Sequence, residues 1–374
     1  MTGSTSQNTF YFYRGRVALY ALLRALNAKP GDEVILQAFT CMAVPNPIVG
    51  LGLHPVYVDI DPRTYNLDPG QMESRVTERA KAIIVQHTFG IPAPMEAIMA
   101  VARKHNLVVI EDCCHVLGST YRGEGLGCIG DAAFYSYDWG KPIIIGLGGA
   151  AVVHSENLLH NMRALYDTFV DPPLKDVLIL NLQYLAHAML RRPTSFWTIR
   201  DLYRALSKAG LAIGTFRPEE FSGALNEEYQ RRMAPSLRTR LAGKLLEAEG
   251  GILHRKRVET QYEDGLRQLG IERPESPEGA GTVYLRYPLL VRDKPRTLDE
   301  ARKWKVELGD WYASPVHPLD DHQWKSMEYE KGCCPIAEGI CKRIVTLPLY
   351  EAIRRADIDR SLEFLRSIQA QGLI

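Results

Sequence analysis

Val108-Val109-Ile110-Glu111-Asp112-Cys113-Cys114-His115, then Asp131 through Lys141 (DAAFYSYDWGK), then Gly146-Leu147-Gly148-Gly149-Ala150-Ala151-Val152-Val153 form the stretch whose reading decides the fold. The first run is apolar and ends in a carboxylate, the second leads to a lysine, and the third passes through glycines into another apolar run. Short apolar runs bounded by turn residues read as buried strands. Working outward, apolar runs at Val34-Ile35, Pro55 to Val58 and Ala82 to Gln86 alternate with helical spacing at Val17 to Leu26, Ala43 to Leu51 and Met95 to Lys104. Such alternation predicts an α/β fold, a doubly wound and mainly parallel sheet flanked by helices.

Ligands of open α/β sheets sit outside the carboxyl ends of the strands, so Asp112 at a strand end, Ser136 and Lys141 are the first candidates for chemistry. An electron-sink cofactor such as pyridoxal phosphate (PLP) needs an amine for its Schiff base, a carboxylate that keeps the pyridine nitrogen protonated, and donors for its phosphate. Lys141 supplies the amine, Asp112 the carboxylate and Ser136 a hydroxyl. Each residue alone also has a plain reading, as a strand-end cap or a solvated loop residue.

The same segments resemble the PLP-dependent sugar aminotransferases of the DegT/StrS type. Their pattern E-D-x-A-[HQ], G-D, F-S-x-x-x-x-K and G-x-G-G falls on Glu111 to His115, Gly130-Asp131, Tyr135-Ser136 through Lys141, and Gly146 to Gly149, with Leu147 in place of the usual glutamate. Their G-T-x-A phosphate motif falls on Gly15-Arg16-Val17-Ala18, where Arg16 replaces the threonine. The threonine-aromatic pair that stacks on the cofactor ring falls on Thr40-Cys41, so a sulfur contact, Phe39 or another aromatic takes over the stacking. The Y-N-Y-R-M motif falls on Tyr229 to Met233, with Gln230 in the slot whose amide crosses a dimer interface to the partner's cofactor phosphate. His115 fills the slot near the ring hydroxyl, and Tyr312 and His317 lie in the substrate-facing segment Trp311 to Pro318. The resemblance implies a fold type I (aspartate-aminotransferase-like) PLP-dependent transferase with a seven-stranded-type sheet. It also implies a large domain over 1–240 and a smaller C-terminal α+β domain over 241–374.

The part least like the family is an insertion at about 166–225. Val177 to Leu190 (VLILNLQYLAHAML) is apolar almost all round, and Phe196, Trp197, Ile199, Leu202, Tyr203 and Leu206 follow with Arg200, Arg204, Lys208 and Arg217 between them. Apolar and aromatic residues interleaved with basic ones suit a helix lying in a membrane interface, here over 175–217, and equally a helix pair packed on protein at a dimer interface or as a lid.

The 374 residues carry a formal charge of +1, which gives no global electrostatic case for nucleic acid. Seven cysteines, at 41, 113, 114, 128, 333, 334 and 341, are odd in number and show no C-x-x-C spacing. No disulfide framework and no structural metal are expected, and the reducing cytoplasm is the expected compartment, with peripheral contact to the inner membrane face if the insertion binds lipid. The polar stretch Met1 to Asn8 lacks a signal-peptide core.

What the resemblance implies for activity is ping-pong transamination from glutamate or glutamine to a keto sugar, expected to be nucleotide-linked, by a homodimer with shared active sites. Lys141 argues against a dehydratase on the same fold, which carries histidine there. A cyclitol, lipid-linked or other non-nucleotide acceptor is the alternative among enzymes. A non-catalytic PLP-binding regulator is the alternative outside them, and no helix-turn-helix segment supports it.

Overall fold

The apolar runs form strands that are buried on both faces, as a parallel sheet covered by helices requires. The computed structural model describes residues 6–190 and 192–374; the start of the polar N-terminal stretch and Arg191 in the insertion lie outside the described residues. Seven strands make the main sheet: β1 (Thr9–Phe12), β2 (Glu33–Gln37), β3 (His54–Val58), β4 (Ala80–Gln86), β5 (Val108–Asp112), β6 (Ala132–Ser136) and β7 (Gly149–Val153). Their order is β1-β7-β6-β5-β4-β2-β3; β2 to β6 are parallel, and β7 runs antiparallel to β6 and β1 on either side. The expected α/β architecture with a mainly parallel seven-stranded sheet is therefore present. In register, Asp112 ends β5 between Gln86 of β4 and Phe134 of β6, at the carboxyl edge where a ligand would sit.

Helices α1 (Gly15–Ala25), α2 (Pro45–Gly50), α3 (Met95–His105) and α4 (Glu156–Tyr166) flank the sheet. In α1 every residue but Arg24 is buried, which sets its amino end deep in the molecule. After β7 come α5 (Leu174–Leu190), α6 (Phe196–Lys208), α7 (Pro235–Leu246) and α8 (Ala248–Leu269). Arg231 and Arg232 are extended and bridge to Val170 and Phe12, and α7 starts only at Pro235, a residue suited to a helix's first turn.

The C-terminal part pairs β8 (Arg286–Leu290) with β9 (Ile344–Pro348) and adds α9 (Lys294–Lys303) and α10 (Arg355–Ala370). Helix α9 starts at Lys294. Asp293 caps it by accepting from the Arg296 amide at 3.0 Å, and Lys305 at φ 54° lies beyond its end. Apolar side chains from α1, β2, α8, β8, β9 and α10 join in one core.

The insertion differs from a helix buried all round. Of α5 only Leu180 is buried, while Leu174, Leu178, Leu182, Leu185 and Met189 face outward at 57–87 % exposure. Its polar and aromatic side chains turn inward instead: the Arg240 guanidinium lies 4.0 Å from the Tyr184 ring, His187 lies 4.7 Å from Trp139, and Gln183 exchanges hydrogen bonds with the Ile213 backbone. No helix among the described residues is long and apolar enough to cross a membrane.

Candidate active site

Asp112 is 5 % exposed and accepts the Cys114 amide at 3.0 Å. Burial pushes its carboxyl up, while that amide and the nearby Lys141 ammonium pull it back. Lys141 is set by the loop that leaves β6. Gly140 in that loop has φ +77°, and a Cβ there would come 2.9 Å from the Trp311 ring, so only glycine lets the loop pass. The Lys141 amine lies 5.5 Å from the Trp311 ring centroid and has no ion-pair partner among the described residues. Its charge acts on Asp112, His115, Cys41, Cys114, Asp138 and His317, so these groups share one neighbourhood.

His115 is buried in a pile of rings, nearly parallel to Phe89 (6.2 Å, 6°) and Trp311 (6.0 Å, 9°). Its Nδ1 accepts the Phe89 amide at 3.2 Å, so the proton of the neutral ring sits on Nε2. Burial, with the Lys141 charge, holds its pKa well below the usual range, which keeps this neutral form. Thr40 and Cys41 pair in parallel with Val316 and His317: the Thr40 amide donates to the Pro315 carbonyl at 3.0 Å and the Met42 amide to His317 at 2.7 Å. Cys41 and His317 thus stand side by side. The Thr40 hydroxyl is committed to Gln86 Oε1 at 2.8 Å. Phe39 is fully buried against Tyr312, 5.0 Å between centroids, and belongs to the core beneath the site.

Tyr312 and His317 lie in a segment held by Lys294, whose ammonium donates to the carbonyls of Asp310, Tyr312 and Cys341 at 3.0 Å each. Ala313 N donates to His317 Nδ1 at 3.2 Å. Burial, reinforced by the Lys294, Arg204 and Lys141 charges and opposed by Asp310, brings His317 down to about 4.

At the other end, α1 begins at Gly15 with no side-chain cap on its first amides. A Cβ on Gly15 would meet Ser136 Cβ at 2.8 Å, so the glycine lets the helix start abut that serine, whose hydroxyl has no hydrogen-bond partner among the described residues. Uncapped amides beside a hydroxyl fit a phosphate. Arg16, expected as the substitute donor, is committed elsewhere: its guanidinium pairs with Glu220 at 2.5 Å and donates to the Thr215 carbonyl at 2.8 Å. Arg14 pairs with Glu228 at 2.6 Å and donates to the Gly214 and Thr215 carbonyls at 3.0 and 3.1 Å. The end of the insertion is therefore strapped across the start of α1 by two buried ion pairs. Burial would raise Glu228, but Arg14 and then Arg217 outweigh it and hold the carboxyl at about 2. Gln230 is exposed on the surface, its carbonyl accepting the Val170 amide at 2.9 Å.

Trp311, Lys294 and the strap acids Glu220 and Glu228 carried no role in the sequence reading. Trp311 alone had a local signal, standing in the quoted segment beside Tyr312.

His87, Glu111 and Cys113 also cluster, with ligand-type atoms within 4.8 Å of one another. Here His87 Nδ1 accepts the Ala93 amide, so its Nε2–H donates to Glu111 at 3.1 Å, and Glu111 further takes the amides of Gly127, Ile129 and Gly130. Those lone pairs hold the 127–130 turn under β5. All seven cysteines are free thiols.

An amine, a buried carboxylate near it, a stack of rings and a phosphate-sized donor set at a helix start fit pyridoxal phosphate chemistry. Comparison with known proteins bears on this directly. Residues 11–173 and 229–366 match the model of the DegT/DnrJ/EryC1/StrS aminotransferase family, and the gap between them, 174–228, holds most of the insertion. The UDP-N-acetyl-3-dehydro-alpha-D-glucosamine 3-aminotransferase of Acidithiobacillus ferrooxidans is 29 % identical over 354 residues, 94 % of this chain and 82 % of that protein. The pleiotropic regulatory protein of Geobacillus stearothermophilus is 44 % identical over 359 residues, 94 % of this chain and 83 % of its own. Among solved structures, a Streptococcus pneumoniae protein assigned as a sugar aminotransferase, in its PLP form, shares the fold with a TM-score of 0.75 at 20 % identity, covering 98 % of this chain and 88 % of that one.

Proposed function

The chain belongs to the DegT/DnrJ/EryC1/StrS aminotransferase family, which makes it a pyridoxal-phosphate-dependent aminotransferase, and from that premise we propose that it moves an amino group from glutamate or glutamine to a keto sugar carrying a phosphate, nucleotide-linked in the first instance. The observation that carries the reading is the shared neighbourhood of Lys141 and Asp112 at the carboxyl edge of the sheet. The Acidithiobacillus relative, named for a UDP-linked keto sugar, supports the acceptor class.

When bound, the cofactor supplies an aldehyde and an electron-withdrawing ring. In the proposed site Lys141 would hold the cofactor by its aldehyde, and its amine, when not so engaged, would take the proton from the donor's Cα and deliver one to the acceptor carbon. Asp112 would accept the ring N–H in a charge-assisted bond, strengthened by its burial. His115, fixed as the Nε2–H tautomer, would have that donor free for the ring oxygen. Gly15, the first amides of α1 and Ser136 would hold the phosphate. Cys41 and Trp311 bound the ring space, and Tyr312 and His317 line the acceptor side.

The test uses the two half-reactions. Glutamate or glutamine should bleach the holoenzyme's visible absorbance, and a keto nucleotide sugar should restore it. Lys141→Ala should do neither, and a variant that still turns over would overturn the assignment.

Gln230 supports a homodimer in which each protomer's amide reaches its partner's cofactor phosphate. The outward leucines of α5 support a covered face, against either the partner or a lipid surface. Sedimentation with anionic liposomes at low salt separates these: binding indicates lipid, and a dimer that ignores vesicles indicates the protein partner. The seven free thiols fit a reducing compartment.

A further inference from the structure

Helix α6, outside the residues that match the family, is fastened to the rest of the protein at two points along its length. At its start the Trp197 indole donates to the Val306 carbonyl at 2.9 Å, and Arg302 of α9 pairs with Asp201 at 3.1 Å. Further along, the Tyr203 hydroxyl donates to the Ile213 carbonyl at 3.1 Å, next to the Gly214 and Thr215 carbonyls that Arg14 holds. The helix therefore runs from the Val306 carbonyl, just ahead of the segment that carries Trp311 and His317, to the carbonyl next to those that Arg14 holds ahead of α1. Arg200 and Arg204, four residues apart, share one face. Arg200 is laid over Trp197 at 4.4 Å and has Asp201 at 3.4 Å. Arg204 is exposed, has no ion pair or hydrogen bond among the described residues, and stands within electrostatic reach of His317 and Arg200.

We propose that Arg204 is a substrate-binding residue that takes the phosphate of the acceptor sugar at the rim of the pocket, an inference that rests on the function proposed above. The reacting carbon must reach Lys141 inside. A donor's α-carboxylate is one bond from that carbon and so stays inside with it, whereas a keto sugar carries its phosphate several bonds away, toward the rim where Arg204 waits. A guanidinium offers a phosphate two parallel hydrogen bonds, which a lysine cannot reproduce.

The probes are UDP and inorganic pyrophosphate, bound to the pyridoxamine form of the holoenzyme and measured by calorimetry for the wild type, Arg204→Met and Arg204→Lys. Arg204→Met should weaken both probes at least tenfold, with Arg204→Lys between, and should raise the acceptor KM by a like factor with little change in kcat. A wild type that binds neither probe, or an Arg204→Met variant that binds them equally well, overturns the proposal. Bleaching by glutamate, read on the same variant, identifies the source of the anion: a loss as large as that of the probes assigns Arg204 to the donor and also overturns it. Tighter UDP than pyrophosphate indicates a nucleoside-bearing acceptor; equal binding indicates that the rim reads phosphate alone. A wild type that binds the probes through Arg204 but returns no visible absorbance with any phosphorylated keto sugar fails the functional reading while leaving the subsite standing.

Discussion

Replacing Glu228 by glutamine removes the anion that Arg14 and Arg217 share where the insertion is strapped to α1. The wild-type carboxyl is held at about 2 against an ordinary 4.5. At 1.36 kcal/mol per unit that difference is about 3 kcal/mol of folding free energy at pH 7, the size expected when one partner of a buried pair is lost. Glu228 is only 2 % exposed, so solvent screening does not shrink the figure. The sign follows from a depressed folded-state pKa: the stabilisation is complete above the unfolded value and fades as pH falls through 4.5 toward 2. By pH 4 the wild type should already have lost ~0.8 kcal/mol of its advantage over Glu228→Gln. Urea unfolding of both holoenzymes at pH 7 and pH 4, compared at equal slopes, reads the two gaps. A gap under ~1 kcal/mol at pH 7, or one that does not narrow at pH 4, would refute the reasoning.

Other consequences follow from the same geometry. Gly140→Ala, which must fit a Cβ 2.9 Å from the Trp311 ring at a positive φ, should move Lys141 and cut kcat by at least tenfold while costing about 1–3 kcal/mol of stability, and unaltered kinetics would show that the loop tolerates the change. His317→Asn should leave the shape of the kcat/KM profile between pH 5 and 8 unchanged, because the imidazole titrates near 4, and a lost inflection near 6.5 would contradict this. Changing Leu178, Leu182 and Leu185 together to glutamine should alter thermal stability little, since all three are more than half exposed, yet reduce dimer mass in sedimentation or binding to vesicles; no change in either would leave the stripe without a role.

The β5 to β7 stretch was legible because strands buried on both sides must be written in continuous apolar runs, and because a carboxylate at such a strand's end points to the ligand edge. That ground made Asp112 and Lys141 candidates, and the family's motif spacing paired them. Arg16 could not be read correctly, since its partner Glu220 comes from the insertion, far along the chain, and a first-turn arginine looks the same whether it awaits a phosphate or is already neutralised. The side-by-side placement of Cys41 and His317 depends on a two-residue parallel pairing between distant segments, which leaves no local pattern. Helix α5 left its facing open for the opposite reason: with apolar residues almost all round, its sequence carried no phase to say which face turns outward. Lys294 illustrates a further limit, because a lysine buried by three carbonyls is indistinguishable in sequence from a solvated one.

Borohydride reduction of the holoenzyme followed by peptide mapping tests the central claim most directly. A phosphopyridoxyl group on the peptide that holds Lys141, absent from a sample first converted with glutamate, is the predicted result. Label on any other lysine, or none at Lys141 in a protein that carries the cofactor, would contradict the account.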